Sequence, residues 1–154
     1  MIKDLGEINL KKIVIAFLSI FLSLNVTAES ATLTIQCDAL SGIRYGIDGK
    51  GKTAEDKDGF SPKSSTTIIW KIGAKTASIS TMDSWSQVTT ETANLVNLQK
   101  KLISWTLTNT GATELWTYNT QTKALLYSSH IQQYDLTGGV AGTVFVTNCR
   151  SGTN

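Results

Sequence analysis

From about residue 31 onward, apolar and polar side chains alternate with a period of two. In the run 102–108, Ile103, Trp105 and Leu107 share one parity, and Ser104, Thr106 and Thr108 share the other. That is the pattern of a strand with one face against a core and one face in solvent. No 11-residue window carries a helical period. Asn109, Thr110 and Gly111 supply turn chemistry after this run, and 113–118 reads as the next strand. Residues 119–122 turn the chain again, 123–130 forms a further strand, and 142–149 is the last, with Phe145 and Thr147 opposite Val144 and Val146. Upstream, 31–37, 66–72, 75–81 and 93–99 are strand candidates, and Gly73-Ala74 makes the middle pair a tight hairpin. The stretch 46–62 breaks the pattern with four Gly, three Lys, three Asp and one Glu, and reads as a long exposed loop.

Composition strengthens the β reading. The 126 residues from Glu29 onward contain 21 Thr and 13 Ser beside many Val, Ile, Tyr and Trp. Such side chains suit a pleated, half-buried surface. About eight strands with short turns predict an all-β fold, a single antiparallel meander closing into a small barrel or strongly curved sheet. Closure would set the first strand beside the last.

The N-terminal segment follows a different logic. Lys11 and Lys12 precede twelve uncharged residues, 13–24, and then small residues up to Ala28. A basic stretch, a short apolar stretch and small residues before a cut site make a secretory signal peptide. The apolar run is shorter than the roughly 18 residues a membrane helix needs. We therefore expect a signal peptide over 1–28 and one exported β domain over 29–154, periplasmic or secreted, with no integral membrane segment after cleavage. In that compartment Cys37 and Cys149 are expected to form a disulfide joining the two ends of the domain. The whole chain has 14 Lys plus Arg against 12 Asp plus Glu, a net charge of +2 in 154 residues. This excludes nucleic acid as the expected partner, because phosphate binding needs a basic excess on one face.

Candidate chemistry is sparse. His130 is the sole histidine and no Ser stands in a Gly-x-Ser-x-Gly turn, so no catalytic triad is legible. The carboxylates fall mostly in the charged loop or in turns, and no sequence neighbourhood marks one for a raised pKa. Asp56-Lys57-Asp58-Gly59 echoes the middle of a calcium loop, but Ala54 and Ser65 stand where its outer ligands belong, so Asp58-Gly59 reads as a loop turn. No metal or cofactor is expected. Of the four tryptophans, Trp70, Trp105 and Trp116 lie in strands and read as core, whereas Trp85 sits in a polar stretch and reads as exposed.

Ser41-Gly42-Ile43-Arg44-Tyr45, with Asp48-Gly49 after it, resembles the Ser-Gly-x-x-Tyr motif of the bacterial inhibitors of c-type lysozyme. Ile69-Trp70-Lys71-Ile72-Gly73 resembles that family's aromatic-Trp-x-Lys-Gly run, with Lys71 one place early. Those inhibitors are small exported β-barrels, and the resemblance implies that Ser41 and Lys71 would enter a lysozyme cleft. The layout also resembles small bacterial exported β-barrel proteins with an early and a terminal Cys, which implies architecture only. The first strand lacks the Gly-x-Trp usual in lipocalins.

The expected function is therefore that of an exported, non-catalytic binding protein, not an enzyme, whose partner is another protein or a small ligand. One alternative is inhibition of lysozyme or another hydrolase, and another is a small-ligand carrier of lipocalin-like architecture. Ser41, Arg44, Tyr45, Lys71 and Trp85 are the candidate contact residues.

Overall fold

The alternating runs pair into strands because every second side chain can be withdrawn from water only if a neighbouring strand satisfies the backbone between them. The computed structural model describes residues 30–132 and 139–154. Within them lie β1 (Thr32–Cys37), β2 (Ser41–Ile47), β3 (Thr53–Gly59), β4 (Ser65–Lys71), β5 (Thr76–Met82), β6 (Val88–Leu98), β7 (Leu102–Asn109), β8 (Ala112–Asn119), β9 (Ala124–Gln132) and β10 (Val140–Thr153). The expected signal peptide, 1–28, falls outside the described residues. No helix among the described residues is long and apolar enough to cross a membrane.

Strands β4 to β10 form an antiparallel meander, each bonded to the next. β1 bonds to β4 on one side and β10 on the other, so eight strands close into a barrel. The predicted adjacency of first and last strands is what closes it. Cys37 and Cys149 face each other across this seam with Cα atoms 4.1 Å apart and are joined by a disulfide.

The charged stretch 46–62 is a correction to the sequence reading. Most of it belongs to a hairpin, β2–β3, instead of a loop. Asp48 closes its tip: the side-chain Oδ1 accepts from the backbone N–H groups of Lys50 and Lys52 at 2.9 and 2.8 Å, and Gly51 supplies the left-handed residue at φ 82°. β2 continues the line of β1 along the N-terminal half of β10, pairing Ser41 with Val146 and Ile47 with Val140. β3 bonds only to β2 and is the free edge, which its Glu55, Asp56, Lys57 and Asp58 protect against pairing with another chain. Its charge density, which mimics a loop in sequence, is that of an edge strand. Asp58 and Gly59 are strand residues, not a turn, and Asp58 forms an ion pair with Arg44 on the facing strand.

The flap leaves the barrel wall at residues 38–40 and 60–64. Leu40 is fully buried there, and the Phe60 N–H donates to the Leu40 carbonyl at 2.8 Å. Phe60 packs its ring against Tyr127 and Phe145, both at 6.0 Å between centroids. Gly42 stands where β2 meets β10 so closely that a Cβ would lie 2.0 Å from the Val144 carbonyl oxygen. Only glycine fits that approach.

An eight-stranded barrel is just wide enough for side chains to fill. The end bearing the β4–β5 and β8–β9 turns is filled by Trp70, Trp105, Tyr118, Ile35 and Leu125, with Trp70 and Trp105 edge to face at 6.1 Å. The expected inward set Ile103, Trp105 and Leu107 is buried as predicted. The opposite end carries the flap, the β5–β6 turn and the β7–β8 turn. There polar side chains replace apolar ones inside the wall: Ser129 and Thr143 are buried and share a hydrogen bond of 2.6 Å.

Candidate functional site

Two neighbouring hollows occupy this polar end. An outer cleft of about 290 Å³ lies between the base of the flap and the β5–β6 turn, lined by Phe60, Ser64, Thr81, Met82, Asp83 and Thr89 among others. A smaller inner chamber of about 70 Å³ is bounded by Ile79, Glu91, Leu107, Glu114, Trp116 and Tyr127. Phe60 and Thr81 line both. The outer cleft lies where the β4–β5 pairing ends, at Ser65 and Met82.

Strand parity places the polar groups. Glu114 lies on β8 at the same parity as Trp116 and Tyr118, so it faces inward with them. Register sets it opposite Leu107 on β7 and Ser129 on β9. Its Oε2 accepts from the Trp116 indole N–H at 3.1 Å. Burial pushes its pKa above the ordinary carboxylate value, opposed by the Trp116 hydrogen bond; the nearby Glu91 charge raises it further, and a hydrogen bond from Tyr127 lowers it. The Tyr127 phenol is itself pushed up to about 12, chiefly by burial, with the Glu114 charge adding to the effect. Glu91, opposite Ile79 on β5, completes the polar lining from the β6 side. Glu114 corrects the expectation that no carboxylate is marked for a raised pKa: Phe60, Ile79, Leu107 and Tyr127, from four separate segments of the chain, line the same chamber.

The rim of the cleft carries Trp85, whose side chain is 83% exposed. The turn presenting it is held by Asp83, whose Oδ1 accepts from the N–H groups of Trp85 and Gln87 at 2.8 and 2.9 Å. Ser86 takes the left-handed conformation at φ 63°, the role Gly51 plays in the flap turn.

The remaining sequence candidates do not assemble into one surface. Ser41 and Tyr45 lie on the outer face of β2, and Arg44 lies on its inner face against Asp58. Lys71 pairs with Thr32 at the far end of β1, roughly 25 Å from Ser41 at about 3.3 Å per strand residue along β10. The two motifs that resemble the lysozyme inhibitors are therefore at opposite ends of the barrel. Trp70, Trp105 and Trp116 are buried, as their strand positions predict. His130 faces outward beside Thr113 and Gly142, on the other side of the wall from Glu114. Among the described residues no three His, Cys, Asp or Glu side chains gather closely enough to hold a metal ion.

No protein-family model matches the chain, and no curated protein matches it. Among solved structures it is similar to isotype 1 transferrin binding protein B from serogroup B Neisseria meningitidis, with 11% identity and a TM-score of 0.41. The match covers 82% of this chain and 27% of that one, so the chain spans about a quarter of that protein's length.

Proposed function

We propose that this protein is an exported, non-catalytic binding protein that holds a small ligand at the mouth of its barrel. The observation that carries the reading is the pair of neighbouring hollows at the barrel mouth, the inner one lined by Glu114, Trp116 and Tyr127. Hollows with apolar and aromatic walls and a few convergent polar groups are the usual form of ligand sites. The rest of the interior is filled by aromatic and aliphatic side chains, which favours a small ligand over a long lipid. The Cys37–Cys149 bridge fits an oxidising compartment, periplasmic or extracellular. The non-catalytic part of the reading is supported by the separation of His130, on the outer face of the wall, from the carboxyls.

Native mass spectrometry of the oxidised protein, recovered from its own exported fraction, tests this. The reading expects a retained small-molecule mass that disappears when Thr89→Trp fills the cleft from its β6 side. An adduct that persists unchanged in Thr89→Trp would place any ligand elsewhere and overturn it.

A further inference from the structure

We propose that the cleft selects small organic cations, an ammonium group carried on an apolar body. The head would lie between Glu91 and Glu114 and the body against Phe60, Met82 and Trp116. This rests on the reading of the cleft as a ligand site and adds the charge and shape of what enters it. Among the described residues, those lining the two hollows include three carboxyls, Asp83, Glu91 and Glu114, and no Lys, Arg or His. Between the carboxyls stand ring faces and aliphatic walls: Phe60, Trp116 and Tyr127 with Ile79 and Leu107. A cation gains there twice, from carboxylate charge in a partly desolvated site and from the negative faces of the rings. An anion of the same shape meets like charge. A neutral analogue fills the same apolar space and leaves the carboxyls without a counter-charge.

The surroundings of Glu114 leave the cation's place open. β7 contributes Leu107 opposite it, β9 contributes Ser129 and the Tyr127 phenol, and β6 faces it with Glu91. Arg44, on the inner face of the flap, is set apart from Glu114 by the β10 and β9 strands and is paired with Asp58. Burial holds the Glu114 carboxyl toward its neutral form, and an ammonium beside it reverses that preference. Cation binding should therefore tighten as pH rises through the Glu114 titration.

Isothermal titration calorimetry of the oxidised full domain with phenethylammonium, 2-phenylethanol and phenylacetate separates the terms. The proposal expects phenethylammonium to bind at least about tenfold more tightly than 2-phenylethanol, the scale of one charge-assisted contact, with phenylacetate weakest. Glu114→Gln and, independently, Glu91→Gln should each remove most of that preference, read as the ratio of the two dissociation constants in the same variant. Equal binding of the amine and the alcohol would overturn the cation proposal and leave the cleft as a ligand site. Binding of none of the three would overturn it as well, with the cleft itself then judged by the native-mass measurement on Thr89→Trp.

Discussion

Removing the disulfide is the perturbation whose size follows most directly from the fold. Cys37 and Cys149 are 112 residues apart in sequence and close almost the whole β domain into one covalent loop. Chain-entropy reasoning assigns a cross-link of that span about 5 kcal/mol against the unfolded state. Domains of this size are stable by roughly 5–15 kcal/mol in all, so a third or more of the total is at stake. The bridge also sits where β10 exchanges partners, from β2 at Val146 to β1 at Cys149. The seam amides of Gln36 and Arg150 should therefore exchange with solvent before those of β7 and β8 once it is gone. The assay is urea unfolding of the oxidised protein, the reduced protein and Cys37→Ala/Cys149→Ala. Reduction and the double substitution should each lower the unfolding free energy by about 4–5 kcal/mol and raise the urea slope, because an uncrosslinked unfolded chain exposes more surface. A loss below about 1 kcal/mol in both would refute the reasoning, since it would mean that the closed loop constrains nothing that matters in the unfolded chain.

Gly42→Ala should cost about 2 kcal/mol or more, because the new Cβ meets the Val144 carbonyl and the Phe145 Cα in backbone that cannot step aside; Gly152→Ala, with nothing within 4 Å, should stay within about 0.5 kcal/mol, and equal urea midpoints for the two would contradict this. Ser86→Gly should stabilise by roughly 0.5–1 kcal/mol in thermal unfolding, the left-handed penalty less the added freedom of the unfolded chain, and a destabilised variant would show that the Ser86 side chain matters in its own right. Because burial raises Glu114 above 4.5, its neutral form is the one the fold prefers: its contribution is fully present below pH 4.5 and is lost as pH rises through the folded-state value. Glu114→Gln should thus gain stability on the wild type as pH rises from below 4.5 toward neutrality, and parallel melting temperatures across that range would count against the buried titration.

Which parts of this were legible in sequence depends on where the packing partners lie. β7 announces itself because Ile103, Trp105 and Leu107 all enter one continuous core, so alternation in sequence equals alternation in burial. The disulfide was legible because two cysteines near the ends of a domain that follows an export signal are expected to pair. The flap was not. Its inner face carries Gly42, Arg44 and Asp58, while Ile43, Tyr45 and Ile47 point outward, which inverts the usual pattern. β3, dense in charge, satisfies the needs of an exposed edge and reads as a loop. At the site, Trp85 betrayed its exposure through its polar neighbours. Glu114 left a quieter signal: it shares parity with Trp116 and Tyr118, so an inward carboxyl could have been read from β8 alone. Its raised pKa could not, because the apolar walls come from β5, β7, β9 and the flap base.

The central claim is that a ligand enters the mouth of the barrel and reaches Trp116. The indole N–H resonances of the four tryptophans, followed by ¹⁵N-correlated NMR during titration with phenethylammonium, test it directly. The Trp116 indole, which donates to Glu114, should shift with saturation, the rim Trp85 should follow it, and Trp70 and Trp105 at the filled end should stay in place. A titration in which heat is released while Trp116 does not move would contradict the account, because the ligand would then be bound somewhere other than the chamber.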